Sequence, residues 1–209
     1  MSVFEHRIIA FGQHQAPRIN AHIRTQGTAA VTAAGGRVFG VFTPRIGHSL
    51  NHTIILTEWP DDAAATQYGA CVLGGAEGVT TEQCDLWDPT VRPVPGETLP
   101  EPTGCFSHRW FLCREADWPR FLELSDTAWD NFEGVHPTRV VGFWRSRRNV
   151  GPGLLEVRLM AWYKDLGAWE GSRFWAGSAD PAAAAAHSRF RERAALTIDT
   201  AVTVMWRAE

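Results

Sequence analysis

The sequence predicts an α+β fold in which two tandem ferredoxin-like βαββαβ units close into one eight-stranded barrel. The main observation is an internal repeat, which is the first feature to seek in a new sequence. Three anchors recur with one shift of 102 residues: His6-Arg7 with His108-Arg109, Pro17-Arg18 with Pro119-Arg120, and Arg37-Val-Phe-Gly-Val-Phe42 with Arg139-Val-Val-Gly-Phe-Trp144. Three anchors in one register arise by chance far less often than one, so they indicate duplication of a whole unit.

The first copy is predicted to contain four strands, near residues 3–11, 37–43, 51–59 and 83–91. These runs are rich in the β-branched and aromatic residues that strands favour. An Ala-rich helix follows the first strand, and a short helix precedes the last one. The order is therefore βαββαβ.

The second copy repeats this order. Aromatic residues mark a strand over Phe106–Cys113, and apolar residues at helical spacing predict a helix that begins after Asp117 and ends at Gly134. The remaining predicted elements are strands at Arg139–Arg145, Leu154–Tyr163 and Thr197–Arg207, with a helix at Ala182–Leu196.

The predicted domain boundaries are a first unit at 1–92, a proline-rich linker at 93–103 and a second unit at 104–209. Four prolines make the linker stiff and extended. Beyond the third anchor the repeat is predicted to slip by one residue, which pairs Trp59 with Trp162 and Asp62 with Asp165. Loops accept such insertions at low cost. Each sheet would have helices on one face only, so the two bare faces can bury each other.

Composition excludes several classes of function. The 209 residues carry a formal net charge of −3, without the basic stripe of nucleic-acid binders, so no nucleic-acid partner is expected. No run approaches the ~20 apolar residues of a membrane span, and the N-terminus lacks a signal-peptide pattern. The four cysteines form no C-x-x-C pair, which favours free thiols and a cytoplasmic location. Ten tryptophans favour a cavity for a flat or apolar molecule.

The segment His108–Glu133, together with the strand Arg139–Arg145, resembles a NIPSNAP-type domain of the dimeric α/β barrel superfamily. The likeness is best over residues 105–165. The Glu-Leu-Arg of that family stands here as Glu5-His6-Arg7 in the first copy and as Ser107-His108-Arg109 in the second, which lacks the glutamate. The resemblance implies a single-chain version of the barrel. It leaves the reaction open, since the superfamily includes cofactor-free monooxygenases, lyases, isomerases and haem enzymes.

The strand Leu154–Tyr163 separates two faces by its period-2 alternation. The apolar set is predicted to pack under helices and the other set to face the barrel interior: Leu155, Val157, Leu159 and Ala161 against Glu156, Arg158, Met160 and Trp162. Glu156 is a candidate base, and Arg158 is a candidate ligand for an anionic oxygen. The alternative is an ion pair between them that only fills the interior.

Arg7 and Arg109 hold matching positions on the opening strands and are expected to approach each other across a pseudo-twofold axis. Guanidinium groups there would bind a carboxylate or an enolate-like oxygen. The alternative is a structural role. Their neighbours His6 and His108 are expected under the helices, because the family has an apolar residue there. A role in substrate binding stays open for His108.

The loop 44–52 concentrates polar groups near one barrel mouth. His48 is a candidate base, and Arg45, Asn51 and His52 are candidate substrate contacts. The alternative is an ordinary polar hairpin. No third ligand accompanies the two histidines, so no metal site is expected.

These features predict a small-molecule enzyme without a tightly bound cofactor. It would catalyse proton transfer or oxygenation, as an isomerase, lyase or cofactor-free monooxygenase, on an apolar or aromatic substrate with an anionic oxygen. The predicted site is the lumen between the two sheets, walled by Trp144 and Trp162. Two alternatives remain open: a haem enzyme with a histidine ligand, and a non-catalytic binding protein. The sequence is compatible with a homodimer.

Overall fold

The computed structural model describes residues 2–100, 103–173 and 179–208. The strands are β1 (Val3–Phe11), β2 (Arg37–Ile46), β3 (His52–Trp59), β4 (Val79–Arg92), β5 (Cys105–Arg114), β6 (Thr138–Ser146), β7 (Leu154–Tyr163) and β8 (Thr197–Arg207). The α-helices are α1 (Ala16–His22), α2 (Thr28–Ala33), α3 (Asp62–Tyr68), α4 (Trp118–Val135), α5 (Leu166–Gly171) and α6 (Pro181–Ala195). No helix among these residues is both long and apolar enough to cross a membrane.

The strands form a closed barrel in the order β1-β3-β2-β8-β5-β7-β6-β4. Within this order, β4-β1-β3-β2 and β8-β5-β7-β6 repeat the same fourth-first-third-second arrangement, which is that of a ferredoxin-like βαββαβ unit. The predicted fold class is therefore confirmed.

The chain divides into two compact units. The first comprises Met1–Pro89, Glu97–Pro102 and Thr203–Glu209, and the second comprises Thr90–Gly96 and Thr103–Val202. β4 and β8 each contribute residues to both units, because each strand runs past a boundary.

The duplication extends to local irregularities. A register shift lies between Val38 and Gly40 in the β2–β3 ladder, and another lies at the matching place, between Val140 and Gly142, in the β6–β7 ladder. Such bulges insert a residue into one strand at a defined position. Their recurrence at the same shift of 102 residues supports descent of both units from one ancestor.

The predicted one-residue slip after the third anchor is wrong. Val3 pairs with Trp59, and its counterpart Cys105 pairs with Tyr163, so the shift there is 104 residues. The β6–β7 hairpin is thus two residues longer than the β2–β3 hairpin. The caps agree, since Asp61 and Asp165 begin α3 and α5 with the same extended backbone and accept bonds from Ala64 N and Ala168 N.

The first unit buries an apolar layer between its sheet and helices. The layer consists of alternate strand residues and of one face of the α1–α2 region: Val3, Ile9, Phe11, Ile19, Ile23, Val31, Val41, Ile55, Trp59, Ala65 and Val72. A π-helical segment, Ile23–Gly27, joins α1 to α2. Gly27 lies so close to the backbone of Val72 that no side chain would fit.

The second unit has a larger aromatic layer. Helix α4 buries Phe121, Leu124, Ala128, Trp129 and Phe132 along one face, as its helical periodicity predicts. Phe132 meets Phe190 of α6 edge-to-face, with ring centroids 5.2 Å apart. Alanines on the buried side of α6 let this helix approach α4 closely.

Candidate anion-binding site

The second unit encloses a cavity between its sheet and its helices. The walls come from strands β5, β6 and β7, from helices α4, α5 and α6, and from the residues that follow α5. The lining residues are Ser107, Arg109, Trp129, Phe132, Val140, Leu159, Ala161, Tyr163, Trp169, Ser172, Arg173, Phe190 and Arg193. The space open to the centres of water-sized molecules is about 70 Å³. A cavity of this size holds a few waters or one small polar group.

Three guanidinium groups reach this cavity from different elements: Arg109 from β5, Arg173 from the segment after α5, and Arg193 from the last turn of α6. Bringing these three groups together is energetically unfavourable, because like charges repel and because removing a charge from water is costly.

Arg193 is the most deeply buried of the three, at 9% exposure. Its Nη1 donates to Ser125 Oγ at 3.1 Å. Its guanidinium lies 4.8 Å from the ring centroid of Phe111 and 4.9 Å from that of Phe190. Burial first, and then the positive charge of Arg109, lower the pKa of Arg193 to about 9.

Arg109 is half-buried in the same wall, with Phe111 as its ring neighbour at 5.9 Å. Burial lowers its pKa, and the charge of Arg173 lowers it further. Arg173 stacks on Trp169 at 4.0 Å, and its Nε lies 3.8 Å from a carboxylate oxygen of the largely exposed Glu170. No carboxylate lines the cavity in the described part of the unit.

The first unit shows what the same position looks like when it is neutralised. There, Arg7 is the counterpart of Arg109, and its Nε donates to Glu5 Oε1 at 3.0 Å. Its Nη1 donates to Thr81 Oγ1 at 3.1 Å. Glu5 is 2% exposed and Arg7 is 8% exposed, so the pair is fully buried. Burial raises the pKa of Glu5 although Arg7 opposes this shift.

The described residues of the second unit show no such internal neutralisation. Ser107 stands where the first unit has Glu5, so the carboxylate is missing. Counted from the matching helix caps, Arg173 stands where the first unit has Gly69, whose backbone closes over Glu5 and Arg7. The second unit has therefore lost one negative group and gained one positive group at the same place.

The sequence-based assignment of strand faces is correct for β7 and wrong for the opening strands β1 and β5. Leu159 and Ala161 line the cavity under the helices, as predicted. Arg109 lies on this same side, so its neighbour His108 lies on the opposite face of β5. The expectation that the histidines lie under the helices is wrong, because it rested on a family pattern that this chain does not follow.

The first unit has the same orientation. Arg7 lies under the helices beside Gly69, while His6 stacks on Trp87 with ring centroids 4.2 Å apart. Arg7 and Arg109 therefore do not face the barrel interior, where they were expected to meet.

Glu156 and Arg158 form a buried ion pair on the face of β7 that points away from the helices. Nε and Nη2 of Arg158 donate to Glu156 Oε1 at 3.0 and 2.7 Å. The structure does not bring this pair together with Arg109, which lies on the other face of the same sheet. The arrangement matches the i, i+2 ion pair considered from the sequence.

The two candidate pocket tryptophans do not line the arginine cavity. Trp144 is completely buried, and its ring covers Gly142 so closely that no Cβ would fit there. Trp162 donates its Nε1–H to the carbonyl of Thr103 at 2.7 Å.

The candidates from the loop 44–52 all lie in the first unit. β2 continues to Ile46, so Arg45 is an exposed strand residue. The Nδ1 atoms of His48 and His52 lie 2.8 Å apart, and His52 Nε2 lies 3.3 Å from Glu82. Burial and the neighbouring His52 lower the pKa of His48. The backbone N–H of Asn51 donates to Ser49 Oγ at 3.2 Å.

Sequence reasoning missed Arg193, Arg173 and Tyr163. A signal for Arg193 existed, since the buried residues Ala183, Ala186 and Phe190 lead to it at spacings of three, four and three. An arginine that continues an apolar stripe is rarely buried without a purpose. No comparable signal marks Arg173, which follows a short helix that the sequence did not predict.

Neither a scan against protein-family models nor a search of curated proteins finds a match. Solved structures do resemble the chain. A candidate monooxygenase from Fusobacterium nucleatum has a TM-score of 0.64 at 7% identity, covering 100% of this chain and 93% of the other. One from Lactobacillus acidophilus has a TM-score of 0.62 at 9% identity, covering 100% and 94%. A heme-binding protein from Thermus thermophilus has a TM-score of 0.57 at 9% identity, covering 99% and 90%.

At these identities the likeness shows the fold alone, which is that of a dimeric α/β barrel completed within one chain. One of these proteins binds haem, which requires an axial ligand from the residues that line its site. No histidine or cysteine lines the cavity among the described residues, so this cavity does not fit a haem held by a histidine or a cysteine.

Proposed function

We propose that this protein is a small-molecule enzyme that binds an anionic oxygen of its substrate between Arg109 and Arg193 in the second unit. The observation that carries the proposal is the difference between the two copies. The first unit supplies its own carboxylate to Arg7, whereas the second unit presents Arg109 without one. A bound anion would take the place of that carboxylate.

The energetic argument follows from the cost of buried charge. An uncompensated buried guanidinium destabilises the fold unless an anion or hydrogen-bonding partner offsets the lost hydration. Charge-assisted bonds from arginine to a carboxylate or phosphate are about twice as strong as neutral ones. Two such groups in one cavity therefore favour binding of an anion.

The same groups suit proton-transfer chemistry. Preorganised cations stabilise the negative charge that develops on an oxygen when a neighbouring carbon loses a proton. Tyr163 lines the cavity and carries a hydroxyl that can donate or accept a proton. We assign Tyr163 as the acid–base residue, and Ser107 and Ser172 as hydrogen-bond partners of the substrate.

A non-catalytic binding protein is the second candidate. It is favoured by the absence of any carboxylate or imidazole from the described lining. The two functions differ in the consequence of Tyr163→Phe. In an enzyme this change removes turnover and leaves substrate affinity within about threefold, whereas a binding protein shows no turnover to lose.

The finer expectations from the sequence stay proposals. They include a NIPSNAP-type relationship, a cytoplasmic location, cofactor-independent chemistry and a homodimer. Glu156 and Arg158, on the face of β7 that points away from the helices, stay a second proposed locus, and His48 of the first unit stays a separate candidate base. Activity that survives Arg109→Met and Arg193→Met but not Glu156→Gln would favour that locus.

Calorimetric titration with small carboxylates and phosphates tests the anion site. We expect Arg109→Met and Arg193→Met each to weaken binding at least ~10-fold, the scale of one charge-assisted contact. The double variant Glu5→Gln, Arg7→Met is the matched control, since it removes the equivalent arginine together with its carboxylate partner from the first unit and should leave affinity unchanged. Equal affinity in the wild type and both cavity variants would overturn the proposal.

A further inference from the structure

The charge of the cavity indicates the charge of its ligand. Arg109 and Arg193 both line the cavity, and no carboxylate in the described lining neutralises either of them. Arg173 adds a third guanidinium, and Glu170 lies 3.8 Å from it. Neither Arg109 nor Arg193 forms an ion pair among the described residues, and the exposed Asp199 lines only the adjoining cavity, so two positive charges remain for a ligand to offset.

We propose that the ligand carries two negative charges in one small group, as a phosphate monoester or a short dicarboxylate does. This inference rests on the proposed anion site and specifies its substrate class. The first unit provides the internal standard, because there one buried arginine is matched by one carboxylate. By the same ratio, the buried Arg193 and the half-buried Arg109 need two negative charges.

A monoanion would satisfy the cavity less well. It could form a bidentate contact with one guanidinium only, which would leave the second charge desolvated and close to the first. The mutual repulsion of Arg109 and Arg193, which contributes to the lowered pKa of Arg193, would persist. A dianion removes the repulsion and supplies acceptors to both groups.

The size of the cavity places both charges in the same small group. The inner space of about 70 Å³ suits a phosphate or a two- to three-carbon dicarboxylate. A second cavity, of about 360 Å³, shares Arg109, Phe190 and Arg193 with the first. It also contains Asp199, whose carboxylate would repel a second anionic group. The remainder of a larger ligand would lie there, and its uncharged part would pack on Phe111 and Ile198.

Matched pairs of small probes test this inference. Methyl phosphate and methyl sulfate have nearly the same shape, but at pH 8 the phosphate is a dianion because its second pKa is about 6. Malonate and acetate form the corresponding carboxylate pair. Titration calorimetry at constant ionic strength should show the dianion of at least one pair binding at least ~10-fold more tightly than its monoanion, or about 1.4 kcal/mol.

The variants assign the preference to the two arginines. Arg193→Met leaves one unpaired guanidinium and should reduce the selectivity for the dianion to about threefold or less. The double variant Glu5→Gln, Arg7→Met, in the first unit, should leave the selectivity unchanged. The two pairs also separate the sources of the dianion, since a phosphate site favours methyl phosphate and a dicarboxylate site favours malonate.

The outcomes separate this inference from the function on which it rests. Equal binding of monoanions and dianions, with loss of both in Arg109→Met, would overturn the dianion assignment and keep the anion site. Failure of all four probes to bind would overturn both. Retained selectivity for the dianion in Arg193→Met would also overturn the assignment. It would show that Arg193 does not bind the second negative charge of the ligand.

Discussion

At the scale of single residues, the two units differ at the opening strand, where the first has Glu5 and the second has Ser107. Glu5 neutralises Arg7 in the first unit, whereas Ser107 supplies no carboxylate to Arg109 in the second. Functional sites commonly retain groups that cost stability, because binding requires them to be unsatisfied in the free protein.

Ser107→Glu should rebuild the neutral pair of the first unit inside the second. The new carboxylate would reach Arg109 and occupy the space of the anion. We expect a higher urea midpoint and a loss of at least ~10-fold in anion affinity. Ser107→Gln has similar size without the charge, and it should leave the urea midpoint nearer to the wild-type value. A glutamate variant that binds anions normally would contradict the assignment of Arg109.

Arg193→Met should raise the free energy of unfolding of the ligand-free protein by about 1 kcal/mol or more. The reason is that methionine replaces a buried charge, which has no carboxylate partner in the described residues, with an apolar chain of similar length. Chemical unfolding with and without a bound dianion measures the effect, and the ligand should reduce or reverse the difference. A marked destabilisation without ligand would show that the contacts with Phe111, Phe190 and Ser125 dominate.

The Glu156–Arg158 pair allows a separate test. Glu156→Leu leaves Arg158 buried without its partner and should cost about 3–5 kcal/mol of unfolding free energy. The double variant Glu156→Leu, Arg158→Leu removes both charges and should recover most of that loss. If the double variant is stable but inactive, the pair has a role in catalysis as well as in packing.

At the scale of secondary-structure elements, the strands were predictable because their signals are local. β7 and β8 have the bounds that the sequence predicts, and the alternation along β7 identifies the side that faces the helices. The predicted bounds of β1 also agree with the structure, and those of α4 and α6 differ from it by about one residue at an end.

The site was less predictable, because its parts depend on tertiary contacts. The position of Arg109 in the repeat makes it a candidate anion ligand, and this role stays a prediction. Its partners were not predicted, since Arg193 lies far along the chain in a helix whose packing only the fold reveals. The exact shift between copies after the hairpin was also hidden, because a loop can lengthen by two residues without any change in the strands.

The glycine in the second strand of each unit provides a test at this scale. Gly142 lies under the ring of Trp144, and Gly40 lies under Phe42 and Leu99, in both cases too close for a side chain. Gly142→Ala and Gly40→Ala should each lower the unfolding free energy by about 1–3 kcal/mol, as over-packing does. Gly134→Ala is a control, because nothing lies near an added Cβ there. Equal stability of all three variants would contradict the close packing.

At the scale of the whole molecule, the buried His187 and the half-buried His48 and His136 make stability depend on pH in both units. His48 belongs to the first unit, and His136 and His187 belong to the second. Burial is the largest cause that lowers the pKa of each imidazole from its usual value near 6.5. The rings of His136 and His187 are stacked, with centroids 5.9 Å apart, and the charge of His187 also lowers the pKa of His136. The charge of Arg191 also lowers the pKa of His187.

Stability should therefore fall as the pH is lowered from 7.5 to 5. A histidine whose pKa is lower in the folded state binds fewer protons there than in the unfolded chain, so unfolding takes up protons below about pH 6.5. The stabilisation is complete above the unfolded pKa and is lost as the pH falls from that value through the lower pKa of the folded state. Urea midpoints across this range measure the slope, and His187→Asn with His136→Asn should make it shallower. Glu5 acts in the opposite direction, because its raised pKa makes protonation favour the folded state as the pH falls through that raised pKa toward the usual value of 4.5. A urea midpoint that rises between pH 7.5 and 5 would show that the carboxylates, and not these histidines, control the stability of this protein.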